Sequence, residues 1–221
     1  MSFYLYKHMY SKNALLEKWK SLHISESLIR AFEEVPREEF ILDNMKEQAY
    51  DDTALPILRG KTISQPSTVL LMTDALDVKE GMKVFEVGSG SGYQAAIISK
   101  LVGETGKVYS SEVLPELVMF AQDNLNRVGI SNVEVHESDG SQGLEDFAPY
   151  DRIIITAACP MIPKLLLDQL KTNGIIVAPV GTEKEQQMKK IIKTEKGIEE
   201  ISLGTFLFSP MIGKFGFEER I

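Results

Sequence analysis

The chain is poor in the residues that staple or ligate. Its one cysteine, Cys159, rules out a disulfide within the 221 residues. Its three histidines, His8, His23 and His136, have no paired spacing with cysteine or carboxylates, so no structural zinc site is expected and no metal is assigned. No apolar run approaches membrane-spanning length, and Met1 to His8 lacks the continuous apolar core of a signal peptide. No block of five like charges suggests an interaction tail, and no Pro/Ser/Gly-rich stretch suggests a linker between domains. Positive charge is in deficit: the net charge is −8 and the isoelectric point about 5.1. Such a chain repels phosphate backbones, which disfavours nucleic-acid partners. The expectation is a soluble, cytoplasmic protein with no membrane partner, acting as a monomer.

Apolar residues, 43% of the chain, suffice for one substantial core, since a chain of this length buries roughly 70% of its unfolded surface. Residues 1–221 are read as one domain in three segments: a helical 1–80, an α/β core 81–181 and C-terminal strands 182–221. Ser11 to His23 has Leu15, Leu16, Trp19 and Leu22 on one helical stripe, and Ser25 to Glu34 places Leu28, Ala31 and Phe32 on another. Pro36 ends that helix. Glu39 to Tyr50 is read as a third short helix, Asp51 to Lys61 as loop, and the residues after Pro66 as a helix carrying Val69, Met72 and Leu76.

From Met82 the pattern becomes alternating. Strand-like runs at Lys83 to Val87, Lys107 to Ser111, Asn132 to His136, Arg152 to Thr156 and Ile175 to Val180 enclose helical runs at Tyr93 to Leu101, Leu114 to Val128 and Pro163 to Lys171. This order implies a doubly wound, mostly parallel α/β sheet covered on both faces. Two or three further strands, Gln187 to Thr194, Glu199 to Leu203 and Thr205 to Phe208, are expected to finish it antiparallel.

The first strong strand runs into Gly88-Ser89-Gly90-Ser91-Gly92 and then a helix. Glycine serves where backbone turns tightly and approaches a ligand without a Cβ, and a helix N-terminus offers free N–H groups to an anion. A sharp turn with no ligand would explain one such pair, but three alternate glycines favour a nucleotide. The dinucleotide fingerprint asks for glycine or alanine at the sixth position, where this chain has Tyr93. A methionine-bearing nucleoside suits the loop better. Glu112 ends the next strand, where a carboxylate can accept both ribose hydroxyls; the competing reading is a solvated glutamate at a helix start. Asp139-Gly140, after the third strand, reads equally from spacing alone as an acceptor for an adenine amino group and as an Asp-Gly turn. Ser64 precedes Gln65-Pro66, which by itself indicates a helix cap.

The glycine loop, taken with Val35-Pro36-Arg37-Glu38, Ala49-Tyr50-Asp51-Asp52, Leu55-Pro56-Ile57, Thr62-Ile63-Ser64-Gln65-Pro66, Thr156-Ala157-Ala158 and Pro179-Val180-Gly181, resembles the class I S-adenosylmethionine-dependent methyltransferases and, within them, the protein-L-isoaspartate O-methyltransferase family. The resemblance runs from about Ala31 to Gly213. It implies a Rossmann-like fold with N-terminal helices and antiparallel C-terminal strands. It also implies S-adenosyl-L-methionine as cofactor, S-adenosyl-L-homocysteine as product, and isoaspartyl peptides and proteins as substrates. It makes Ser64 the active-site serine. Ile63, Glu86, Gly88, Ser89, Gly90, Glu112, Val113, Asp139 and Gly140 would bind cofactor, and Ser64, Gln65 and Val180 substrate, with Phe208-Ser209-Pro210 closing over it. Three departures stand out: Leu58-Arg59 lies where the family has Pro-Ile-Gly without insertion, Cys159 replaces the third alanine after the fourth strand, and Phe217 stands where members often carry a Trp near the C-terminus.

The implied substrate is a free α-carboxylate, already ionised at neutral pH because its reference pKa is roughly 3.5. Its methylation requires no general base, so Ser64 would orient the anion as a donor rather than act as a nucleophile. Alternatives are a related enzyme for another peptide or small-molecule carboxylate, a cofactor-binding protein without catalysis, and a nicotinamide oxidoreductase, which Tyr93 disfavours.

Overall fold

The structure, a computed structural model, describes residues 11–22 and 24–218. His8, His23 and the Met1 to His8 segment read above lie outside the described residues.

Helix α1 (Lys12–Lys20) begins at Ser11, whose side chain accepts the Ala14 N–H, and α2 (Glu26–Glu34) at Ser25, which accepts from Leu28 N. Both are N-caps of the expected kind. Leu15, Leu16 and Trp19 are buried, but Leu22 is 57% exposed because the helix ends before it. The expected third helix over Glu39 to Tyr50 is two 3₁₀ stretches, Arg37–Phe40 and Asp43–Gln48, separated by extended backbone at Ile41. Asp43–Gln48 buries no residue, so it has no apolar stripe to sustain an α-helix. The expected loop Asp51 to Lys61 contains one arm of a small antiparallel hairpin: β1 (Leu55–Pro56) pairs with β2 (Thr62–Ile63), Leu55 opposite Ile63. The hairpin leads into α3 (Pro66–Leu76).

The remaining elements are β3 (Lys83–Val87), α4 (Tyr93–Val102), β4 (Lys107–Glu112), α5 (Pro115–Arg127), β5 (Val133–Glu137), β6 (Tyr150–Ile155), α6 (Lys164–Gln169), β7 (Leu170–Gly181), β8 (Gln186–Thr194) and β9 (Gly197–Phe206). One seven-stranded sheet has the order β5-β4-β3-β6-β7-β8-β9. Pairings among β5, β4, β3, β6 and β7 are parallel, and β8 and β9 are antiparallel. Two boundaries differ from expectation. Strand β7 begins inside the expected helix, its pairing with β6 shifting register between Tyr150 and Arg152. Of the two or three C-terminal strands expected, β9 merges the last two into one, because a bulge at Leu203-Gly204 opposite Met188 of β8 keeps the ladder paired past Gly204.

Both faces of the central strands are dry. Phe85 and Val87 pack with Ile153, Ile155, Tyr150 and Leu166 on one side. Val84, Val108 and Ile154 pack with Met72, Leu76, Ala95 and Ile98 on the other. A third apolar cluster joins α1 and α2 to α4 through Trp19, Phe32 and Tyr93. The chain leaves β3 for β4 and β5, then returns to β6 on the other flank of β3. Open α/β sheets bind ligands at such a reversal, beyond the carboxyl ends of the strands.

The helix ending before Leu22 has a direct test. Leu22→Ala should change unfolding free energy by less than about 0.5 kcal/mol, whereas Leu15→Ala, at 1% exposure, should cost about 2–5 kcal/mol. Urea denaturation of the two variants measures both.

Candidate active site

The carboxyl ends of β3, β4 and β6 surround a cavity of about 480 Å³. Its floor is the glycine loop. Gly88, Gly90 and Gly92 have φ of +95°, +52° and +84°, values that side-chain-bearing residues rarely adopt. At Gly88 a Cβ would also lie 2.9 Å from Thr156 Oγ1. The loop is pinned from both flanks. Gly88 N and Ser89 N donate to Ser111 O at 2.8 and 3.0 Å, and Thr156 Oγ1 donates to Gly88 O at 2.6 Å. Gly140 packs so closely that a Cβ there would stand 2.2 Å from Ser111 Oγ.

Two carboxyl groups serve this loop in different ways. Glu86, at the end of β3, is fully buried and lines the cavity. Its Oε2 accepts from Ser110 Oγ, which also bonds Ser89 Oγ, while Oε1 has no partner. Burial pushes this carboxyl up to about 8; the Ser110 bond lowers it and the nearby Glu112 raises it further. Glu112 instead accepts three backbone N–H bonds, from Gly90 on Oε2 and from Val113 and Leu114 on Oε1. It is 9% exposed, so it is not the solvated helix-start glutamate weighed above.

Ser64 also lines the cavity. Its hydroxyl does not cap α3: the N-cap position is Gln65, and the donors of the first turn are met elsewhere. Asp52 takes Ser67 N at 2.9 Å and Ser67 Oγ at 2.7 Å, and Gln65 O takes Thr68 N and Val69 N. The Ser64 hydroxyl makes no hydrogen bond to another described residue.

The backbone of Ser64 is held from behind by Arg37, a residue whose motif was legible but whose task was not. Arg37 is fully buried, with no ion pair to a described residue. Its guanidinium donates to Ser64 O at 3.0 Å, Thr53 O at 3.2 Å and Ala49 O, and its Nε is unpartnered. Burial lowers its pKa, and Tyr93, Tyr50, Asp52 and Asp51 offset part of that. The Tyr93 ring lies 6.0 Å from the guanidinium and packs against Phe32 and Phe40.

Of the residues singled out in the sequence, Ile63, Ser64, Gln65, Glu86, Gly88, Ser89, Gly90, Glu112, Val113 and Gly140 line this one cavity. Asp139 and Val180 are not among the lining residues. The Asp139 carboxylate turns to the C-terminal segment, accepting from Lys214 N, Ser141 N, Ser141 Oγ and Gln142 Nε2. Burial raises its pKa, but these donors outweigh burial and hold it below the usual carboxylate range. Val180 pairs with Cys159. The C-terminal segment reaches the cavity through Phe206 to Ile212, anchored by Ala158 N to Ser209 O and Met211 N to Ala158 O, both 2.8 Å. Phe208-Ser209-Pro210 was expected there; its wider neighbourhood carries no sequence signal. Among the described residues no group of His, Cys, Asp and Glu could hold a metal ion, and no helix is long and apolar enough to cross a membrane. The buried Cys159 thiol, pushed up to about 12 by burial, is inert packing.

The family model for protein-L-isoaspartate(D-aspartate) O-methyltransferase matches residues 10–215. A protein-L-isoaspartate O-methyltransferase of Methanococcoides burtonii is 46% identical over 204 residues, covering 92% of this chain and all of that protein. A solved protein-L-isoaspartate O-methyltransferase superposes with a TM-score of 0.85 at 30% identity, over 93% of this chain and 67% of the other. A Plasmodium falciparum beta-aspartate methyltransferase structure, in complex with S-adenosyl-L-homocysteine, gives 0.80 at 26% identity, over 92% and 99%. Sheet order, glycine loop and cavity thus define a class I, Rossmann-like, S-adenosylmethionine-dependent methyltransferase. Within that class the chain belongs to the protein-L-isoaspartate O-methyltransferase family.

Arg37→Met should unpair three carbonyls, that of the cavity-lining Ser64 among them. Unsatisfied buried acceptors cost about 1–3 kcal/mol each; with partial relaxation, the variant should lose about 2–5 kcal/mol in chemical denaturation.

Proposed function

We propose that this protein transfers a methyl group from S-adenosyl-L-methionine to the free α-carboxylate of L-isoaspartyl residues in damaged proteins and peptides, with Ser64 as the residue that orients the carboxylate. One observation carries the assignment of Ser64: its hydroxyl is uncommitted among the described residues and shares a cavity with the glycine loop.

The residues present fit the cofactor. Glu86 Oε1 is a buried acceptor without a donor, and an ammonium group such as that of the methionine moiety would satisfy it. Gly88, Ser89 and Gly90 would hold the same moiety. Glu112, with Val113 beside it, would take the ribose hydroxyls, and Gly140 the adenine ring; Ile63 adds an apolar wall. Asp139 supports the adenine side in this reading by anchoring residues 213–215, and its carboxylate would have to leave Lys214 N to reach a base. When bound, the cofactor supplies an electrophilic methyl on sulfur.

The chain's own residues then have little chemistry to perform and much positioning. Ser64 donates a hydrogen bond to the substrate carboxylate, and Gln65 lies beside it. Arg37, through Ser64 O, fixes where that donor stands. Phe206 to Ile212 exclude water, which strengthens the alignment of oxygen with the methyl–sulfur axis. Val180 would act on substrate only through the Cys159 pairing that helps seat this segment. In this reading 1–80 supplies the substrate site, 81–181 the cofactor core and 182–221 the covering strands of a single domain. The enzyme is read as a cytoplasmic monomer without nucleic-acid or membrane partners, in keeping with its acidic charge.

Paired synthetic peptides differing only in Asp versus isoAsp test the substrate. The isoaspartyl peptide should be methylated to base-labile ester and the aspartyl peptide left untouched; equal methylation would sink the assignment. In Ser64→Ala, kcat should fall by about 10²–10³, the scale of losing one donor at a developing site, with S-adenosyl-L-homocysteine affinity kept.

Glu86 makes affinity pH-dependent. Its carboxyl, at about 8 in the free protein, is largely protonated at neutral pH, while a bound ammonium favours the ionised form. Binding should therefore release a proton below pH 8, and affinity should rise from pH 6 towards 8, by at most about tenfold per unit. Above that the ligand's own amine, of reference pKa about 8, loses its charge. Calorimetric titration of S-adenosyl-L-homocysteine in buffers of different ionisation enthalpy counts the proton, and Glu86→Gln should abolish its release.

A further inference from the structure

The charged residues lining the cavity are Arg59, Lys61, Glu86 and Glu112. The two acids are buried among partners at the floor of the cavity rather than presented at its mouth. Glu86 is buried with its carboxyl raised to about 8, and the Glu112 oxygens are occupied by three backbone N–H groups. Arg59 and Lys61 remain. Arg59 is 57% exposed and 3.7 Å from the half-exposed Glu116. Lys61 makes no ion pair with a described residue. Both sit at the turn of the hairpin β1–β2, Arg59 in the Leu58-Arg59 insertion and Lys61 after the following Gly60. The turn is tight: Arg59 and Gly60 are successive left-handed residues, at φ +57° and +66°. A side-chain-bearing residue is strained there, yet the chain keeps an arginine at this position. Lys61 stands three residues before Ser64, directly ahead of a strand held in register by Leu55 opposite Ile63 and Pro56 opposite Thr62. Thus a protein of net charge −8 presents two cations at the mouth of its cavity, close in the chain to the serine.

We propose that Arg59 and Lys61 read the residues flanking the isoaspartyl residue and select substrates with acidic flanks. The inference rests on the isoaspartyl reading above and adds to it a specificity lying outside the reacting atoms. An anionic segment gains from both cations, Lys61 in full and Arg59 less the share offset by the exposed Glu116. A lysine-flanked segment meets like charge. Exposed pairs are individually weak and screened by salt, so the preference should be modest, salt-sensitive and expressed in KM.

Three isoaspartyl peptides of equal length, identical but for glutamate, alanine or lysine on both flanks, provide the test. Initial rates give kcat/KM at ionic strengths of about 0.01 M and 1 M, between which the Debye length falls from about 30 to 3 Å. The glutamate-flanked peptide should exceed the lysine-flanked one by about 2- to 10-fold at low salt, with kcat similar and the ratio collapsing at high salt. The double variant Arg59→Glu/Lys61→Glu should invert the ratio, and Lys61→Gln, which disturbs the turn less, should reduce it. A ratio near one at low salt, or one unchanged in either variant, overturns the specificity while leaving isoaspartyl methylation intact. Failure to methylate even the alanine-flanked peptide overturns the isoaspartyl reading and this inference with it.

Discussion

The structure depends on how the chain leaves β3. A left-handed path through Gly88, Gly90 and Gly92 turns the strand into α4 within a few residues, and the loop stays in place because its neighbours hold its backbone. Ser111 O accepts two of its N–H groups, Thr156 Oγ1 donates to Gly88 O, and Asn124 Nδ2 donates to Ser91 O at 3.0 Å. The loop is therefore a joint between three parallel strands and α5. The absence of side chains lets Thr156 close on Gly88, and Ala121 and Leu125 of α5 on Gly92. The cavity is the space left above that joint, and its walls come from segments remote in the chain.

Around the joint, polar groups are buried in unequal states of satisfaction. Glu112 is fully engaged, whereas Glu86 keeps one oxygen without a donor and a raised carboxyl pKa. Arg37 is a buried cation neutralised by carbonyl dipoles rather than by a carboxylate. Groups of this kind destabilise a fold unless packing over-determines them. Here the dry faces on both sides of β3 and β6 do so, with Val84, Phe85, Ile153 and Ile154 at 0% exposure. The cost is concentrated at the cavity, where a charged ligand can relieve it.

Much of the fold was legible because its signals are local. Alternation of short apolar runs with helical stripes located the five parallel strands, and the glycines after Val87 marked the ligand end of the sheet. Where the sequence reading failed, no local signal existed. Asp43–Gln48 has helix-forming residues but no face to bury. Leu22 continues a stripe past the point where the helix has ended. Strand β9 runs through Gly204 because Leu203 and Gly204 together oppose the single residue Met188 of β8, a bulge that only the pairing of the two strands defines.

The sequence by itself determined the class of chemistry: a glycine turn at a strand end, an acid closing the next strand, and a serine segment belonging to the same family. Each is a short-range pattern whose backbone demands can be read from residue type. Only the tertiary structure decided what each group is free to do. It gave the capping of α3 to Asp52, leaving Ser64 uncommitted, and turned the Asp139 carboxylate to Lys214 and away from the cavity. It also set Arg37 behind Ser64. The physical reason is that hydrogen-bond donors and acceptors are satisfied by whichever partner packing brings within about 3 Å, and those partners come from distant parts of the chain.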